Sequence, residues 1–141
     1  MDSKNKLYLI ILLLISTAML SQNQTNRRWL IVVAERDDPA YQKQIESITA
    51  DKSSAIERRI GIMHWTSKGA TPVFNYPKTK HNPLAYLKDQ ISFQKWFEVI
   101  LVGLDGTIKL RRNEPVSPKS LFKRIDSMPM RQAEMQRKNN R

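Results

Sequence analysis

Two short apolar runs, WLIVVA at 29–34 and FEVILVG at 97–103, constrain this chain more than any other feature. Each is almost unbroken in aliphatic and aromatic side chains, as in central strands covered on both faces. RIGIMHWT at 59–66 reads as a third strand, although it holds Gly61 and His64. TIKLRR at 107–112 alternates apolar and basic residues, the pattern of an edge strand with one wet face. The link before it, Leu104-Asp105-Gly106, is a hairpin signal.

Asp38-Pro39, Asn82-Pro83 and Ser117-Pro118 each place an N-capping side chain directly before a proline suited to the first helical position. The first predicts a helix from Pro39 to about Arg58, with a break near Asp51. The second predicts a helix carrying Leu84, Leu87 and Ile91 on one face, and the third a helix carrying Leu121, Ile125 and Met128. Residues 67–81, with a glycine, two prolines and three lysines, read as a surface loop. The resulting order is β-α-β-α-β-β-α. It predicts an α/β fold of thioredoxin-like type with a four-stranded mixed sheet: one parallel β-α-β unit, a hairpin and a closing helix.

Lys4 and Lys6 precede an apolar run from Leu7 to Leu20, which ends at SQNQTNRR. That run is nearer to a signal-peptide core than to a membrane span, which needs about 20 apolar residues. Ser16 and Ala18 offer a cleavage point, with Ser21 as a competing choice. The expectation is a signal peptide at 1–21, a domain at 22–135 and a basic, disordered tail at 136–141, in a protein exported to the periplasm or secreted. The alternative is an uncleaved N-terminal segment that anchors the chain to the membrane. The chain has no cysteine, so thiol redox catalysis is excluded, as is a disulfide framework. Its formal net charge is +11, and loss of Lys4, Lys6 and Asp2 with the leader would leave about +10. Such an excess predicts attraction to polyanions, and export favours an acidic polysaccharide or an anionic surface over nucleic acid.

FEVILVGLDGTIKLR followed by LFKRIDSMPMRQAEM resembles the P-DUDES domain, a domain of unknown function also found in Equarin and in the sushi-repeat-containing X-linked proteins. The resemblance spans roughly Arg27 to Met135. It implies a thioredoxin-like, peroxiredoxin-like fold and, from its animal members, an extracellular setting. By position, the family motif falls on Gly103, Asp105 and Gly106, on Lys109 and Arg111, and on Ile125, Asp126, Met128, Pro129, Met130 and Arg131. Glu57 and Arg58 match an acidic-basic pair before the second strand. The chain departs from redox thioredoxin relatives in lacking cysteine at AERDDPA and in having no proline directly before the strand at Phe97.

Two groups are candidate ligand sites. Glu35, Arg36 and Asp37 would lie where thioredoxins hold their reactive pair. They could form a polar site, or Asp38 could simply cap the helix with Asp37 beside its positive end. Lys109, Arg111, Arg112, Arg124 and Arg131 could build a continuous basic surface with Lys119 and Lys123, or Lys and Arg could merely protect an edge strand from pairing. Asp126 and Arg131 could pair locally and pin a turn after Pro129 ends its helix. Met128, Met130 and Met135 invite a copper reading with Met63 and His64, but core filling explains them more simply. Two histidines are too few for a zinc site unless carboxylates join them, and no phosphate loop or catalytic triad is present. No cofactor and no catalytic residue is assigned. The chain reads as a binding module for anionic partners, with an enzyme acting at Glu35–Asp38 as the alternative. A third reading, an envelope partner docking on Trp65, Phe74 and Tyr76, requires those side chains to form an apolar surface patch.

Overall fold

A computed structural model describes residues 25–79, 81–93 and 97–141. The expected leader at 1–21 lies outside these residues. The runs rich in Val, Ile and Leu form a mixed sheet of five strands: β1 (Arg28–Val33), β2 (Ile60–Thr66), β3 (Gly69–Phe74), β4 (Glu98–Val102) and β5 (Ile108–Arg112). Their spatial order is β3-β2-β1-β4-β5. β1 runs parallel to β2, and the other three pairings are antiparallel. All six residues of β1 are buried, as a central strand covered on both faces requires.

The sheet has five strands where the sequence predicts four. The extra one, β3, lies inside the segment expected to be a loop. Its burial pattern is mostly exposed and it contains Pro72, so no apolar alternation marks it. A register shift between Ile62 and Met63 accommodates its pairing with β2.

Helix α1 (Pro39–Thr49) is capped by Asp38, whose side chain accepts from Ala40 N at 2.7 Å. The predicted break at Asp51 is present. Asp51 caps α2 (Lys52–Glu57), accepting from Ser54 N at 3.0 Å. Behind Asn82-Pro83 the chain forms a 3-10 helix, Ala85–Gln90, rather than the expected α-helix, and Leu84, Leu87 and Ile91 are buried there. Ser117 caps α3 (Pro118–Asp126), accepting from Ser120 N at 3.2 Å. The helix ends before Pro129 as expected, and Pro129 opens a further helix, α4 (Pro129–Asn139), so Arg137 and Lys138 of the expected tail at 136–141 are helical. No described helix is long and apolar enough to cross a membrane.

Two cores flank the sheet. Leu30, Val32, Ile62, Val99 and Leu101 face Ile48 of α1, Ala55 of α2, and Leu121 and Ile125 of α3. On the other face Trp29, Ile31, Met63, Ile100 and Val102 pack against Leu84, Leu87 and Ile91. Each fully buried aliphatic side chain contributes about 1.5–3 kcal/mol. Gln44 is also buried, and its amide holds Val116 by both N–H and C=O, at 2.6 and 3.0 Å, which fixes the chain's entry into α3. The proposed apolar patch is not a surface feature. Trp65 is buried, Phe74 and Tyr76 are half-buried, and Tyr76 meets the Trp29 ring at 5.8 Å.

Gly61 explains itself in this packing. It lies opposite Trp29 in the β1–β2 register, and a Cβ there would meet the indole at 2.6 Å. Gly61→Ala is expected to destabilise the domain by about 1–3 kcal/mol through overpacking, measured by urea unfolding. A change within a few tenths of a kcal/mol would contradict this packing.

Candidate functional site

At the N-terminal end of β1, Arg28, Arg58 and Arg131 form one cluster with Glu57, Asp126 and Glu134, with Arg59 at 4.0 Å from Glu134 and Lys138 at 3.4 Å from Glu57 on its rim. Arg131, with its side chain 5% exposed, reaches Asp126 at 3.0 Å, Glu57 at 3.1 Å and Glu134 at 3.4 Å. Arg58 binds Asp126 through Nε and Nη2, the latter at 2.7 Å, and lies 4.5 Å over the Phe122 ring. Arg28, 1% exposed, donates to both oxygens of Glu134 at 3.3 Å and to the Arg58 carbonyl at 3.0 Å. The expected Asp126–Arg131 pair is thus one edge of a larger clasp joining β1, the end of α2, the end of α3 and α4. Glu57, Arg58, Asp126 and Arg131, scattered in the sequence, meet here. Arg131 is consequently not part of an exposed basic surface.

The charges set the titration of the cluster. Hydrogen bonding from Arg131 holds Glu57 below its ordinary range, with Lys138 adding to the effect. Burial alone would raise Asp126, but hydrogen bonds from Arg58 and Arg131 outweigh it and the carboxyl is lowered. Burial likewise works against the Arg131 charge, yet its carboxylate partners raise its pKa.

Beside the clasp, the β4–β5 turn faces the α3–α4 junction across a cleft of about 410 Å³. The turn is built on Gly106, at φ 77°, with Asp105 accepting from Thr107 N at 3.1 Å and from Lys109 Nζ at 2.7 Å. Burial pushes Asp105 up, but these bonds outweigh it and lower the carboxyl. A Cβ on Gly103 would strike Lys109 Cε at 2.7 Å and Asp105 Oδ1 at 2.9 Å, so glycine lets this pair cross the cleft wall. Gly103, Asp105, Met128, Pro129 and Met130 all line the cleft.

Lys109 and Arg124 belong to both this cleft and an adjoining groove of about 480 Å³ between β5 and α3. Arg111, Arg112, Leu110, Val116 and Ser120 complete the groove, which has four cationic side chains and no carboxylate in its lining. Arg111 pairs with Glu98 at 2.9 Å. Arg124 and Arg112 donate to the carbonyls of Lys109 and Arg111, at 3.1 and 2.8 Å, and so cover acceptors of the edge strand. Among the described residues neither Arg112 nor Arg124 forms a salt bridge.

The remaining candidates stand apart. Glu35, Arg36 and Asp37 follow the opposite end of β1 and are exposed. Behind them His64 is buried, donates from Nε2 to the Ala34 carbonyl at 2.9 Å and stacks on Tyr41 at 4.1 Å. A carbonyl can only accept, so Nε2 carries a proton, and His64 is a packed residue as expected. Burial raises the Tyr41 pKa against the opposing charge of Arg36. Among the described residues no group of three His, Cys, Asp or Glu side chains could hold a metal. Arg28 and Glu134 went unnoticed in the sequence. Arg28 sits in an Arg-Arg pair that reads as solvated, and Glu134 in a helix too polar to suggest docking.

Asp126 and Glu57 bind protons less readily in the folded state than in the unfolded chain, so stability rises with pH across their range. Their contribution is complete above about pH 5 and disappears as the pH falls below about 4. Asp126→Asn is expected to lower stability at pH 7 by about 1–3 kcal/mol and to flatten the acid limb. Urea unfolding from pH 3 to 7 tests both, and an unchanged acid limb would contradict the assignment.

Comparison with known families adds one finding. Residues 19–134 match the family model described as Domain of unknown function (DUF4174), a description that names no activity and does not use the P-DUDES name. No curated protein and no solved structure matches the chain. Since the match covers the described domain from the clasp to the basic edge, the chain belongs to the DUF4174 family of domains of unknown function.

Proposed function

We propose that this domain is an exported, thioredoxin-like binding module related to the P-DUDES domains, with no thiol chemistry, that takes an acidic polysaccharide along the groove between β5 and α3. The observation that carries the reading is the groove lining: Lys109, Arg111, Arg112 and Arg124 converge there with no carboxylate among them. Capping edge carbonyls occupies one donor of each of Arg112 and Arg124, and a guanidinium has five. The rest can meet sulfate or carboxylate groups spaced along a polymer. The charge of +11 supports long-range attraction of such a chain. The order β2-β1-β4-β5, with β1 and β2 parallel, supports a thioredoxin-like arrangement with β3 added at one edge. The absence of cysteine argues against redox work at AERDDPA. An enzyme at Glu35–Asp37 is less well supported, because those side chains are exposed and Asp38 is engaged as a helix cap.

Binding of the chain to heparin should be measured across a salt series, beside Arg112→Glu with Arg124→Glu. These positions are chosen because neither holds an ion pair, whereas Arg111 holds Glu98. Affinity is expected to fall steeply with salt and to drop about tenfold or more in the double variant. Binding indifferent to salt or to the double change would overturn the proposal.

A further inference from the structure

We infer that the cleft between the β4–β5 turn and the α3–α4 junction binds a small amphipathic anion, an apolar chain ending in a carboxylate. This ligand and this site are distinct from the polymer groove, although the two share Lys109 and Arg124. The cleft volume of about 410 Å³ falls within the range of small-molecule sites, about 300–1,000 Å³. One side is apolar. Leu104 is buried, Met128 half-buried, and Met130 is 49% exposed, one of three large apolar side chains exposed among the described residues. Methionine side chains adapt to flexible apolar chains. The other side is cationic, with Lys109 and Arg124 in the lining.

Arg28 also belongs to the lining, but it is 1% exposed and its two terminal nitrogens are engaged by Glu134 and the Arg58 carbonyl, so the cations a ligand can reach in the cleft are Lys109 and Arg124. Asp105 does not compete for the cations without limit. Its Oδ1 is taken by Thr107 and its Oδ2 by one proton of Lys109, leaving the other ammonium protons for a ligand. A neutral alcohol would meet the apolar side but leave the cations unanswered. A short carboxylate would do the reverse.

Amide chemical shifts of the full-length chain, titrated with octanoate, 1-octanol and acetate, test this. Octanoate is expected to shift the amides of Gly103, Met128 and Met130, and to bind about tenfold or more tightly than either 1-octanol or acetate. Arg124→Gln and Met130→Asp, both at exposed positions, should each weaken octanoate about tenfold. Arg112→Glu should weaken heparin and leave octanoate unchanged, which separates failure here from failure of the polysaccharide reading. Absence of shifts at those amides, equal binding of 1-octanol, or retained affinity in either cleft variant overturns the inference.

Discussion

The buried guanidinium of Arg131 holds the C-terminal part of the domain in place. Helix α4 has one fully buried residue, and it is this arginine. A helix polar on nearly every side cannot dock by apolar area. It docks instead because Arg131 meets Asp126, Glu57 and Glu134, and because Glu134 in turn meets Arg28 at the start of β1. Breaking one of these pairs leaves the buried guanidinium less well compensated and costs about 1–3 kcal/mol. The clasp therefore joins segments some hundred residues apart, and it sets where Met128, Pro129 and Met130 stand relative to the β4–β5 turn.

This arrangement changes the geography of the molecule. The strand-to-helix junction at Glu35–Asp38 and the clasp lie at opposite ends of β1, separated by six strand residues or about 20 Å. The ion pairs of the buried arginines, and the cleft beside them, are at the clasp end, whereas the Arg111–Glu98 pair lies toward the junction, with Glu98 opposite Val33. The junction end offers exposed carboxylates, a capped helix and a histidine already bonded to Ala34. Gly103 and Gly106 serve the clasp end too, one by clearing space for Lys109 and the other by closing the turn.

The central strands were legible because burial on both faces leaves an unbroken apolar run, as in WLIVVA. The helix starts at Pro39 and Pro118 were legible because capping is local chemistry, and Asp51 marked a true helix break for the same reason. β3 was not, since a solvated edge strand has no need of alternation. Nor was α4, whose attachment depends on partners at positions 28 and 57. Sequence spacing relates Asp126 to Arg131, five residues apart, but carries no sign that Arg58 and Arg28 close the same network. The motif residues were visible as types and positions. Their division between a clasp and a cleft needed the fold.

The measurement that tests this account most directly is amide hydrogen exchange in the native chain and in Arg131→Met, which keeps most of the buried volume and removes the charge. If ion pairs dock α4, amides from Met130 to Asn139 should exchange about tenfold or more faster in the variant, while those of β1, β2 and β4 keep their protection. Unchanged protection throughout α4 would mean that packing alone holds it and would contradict the clasp as the organising interaction.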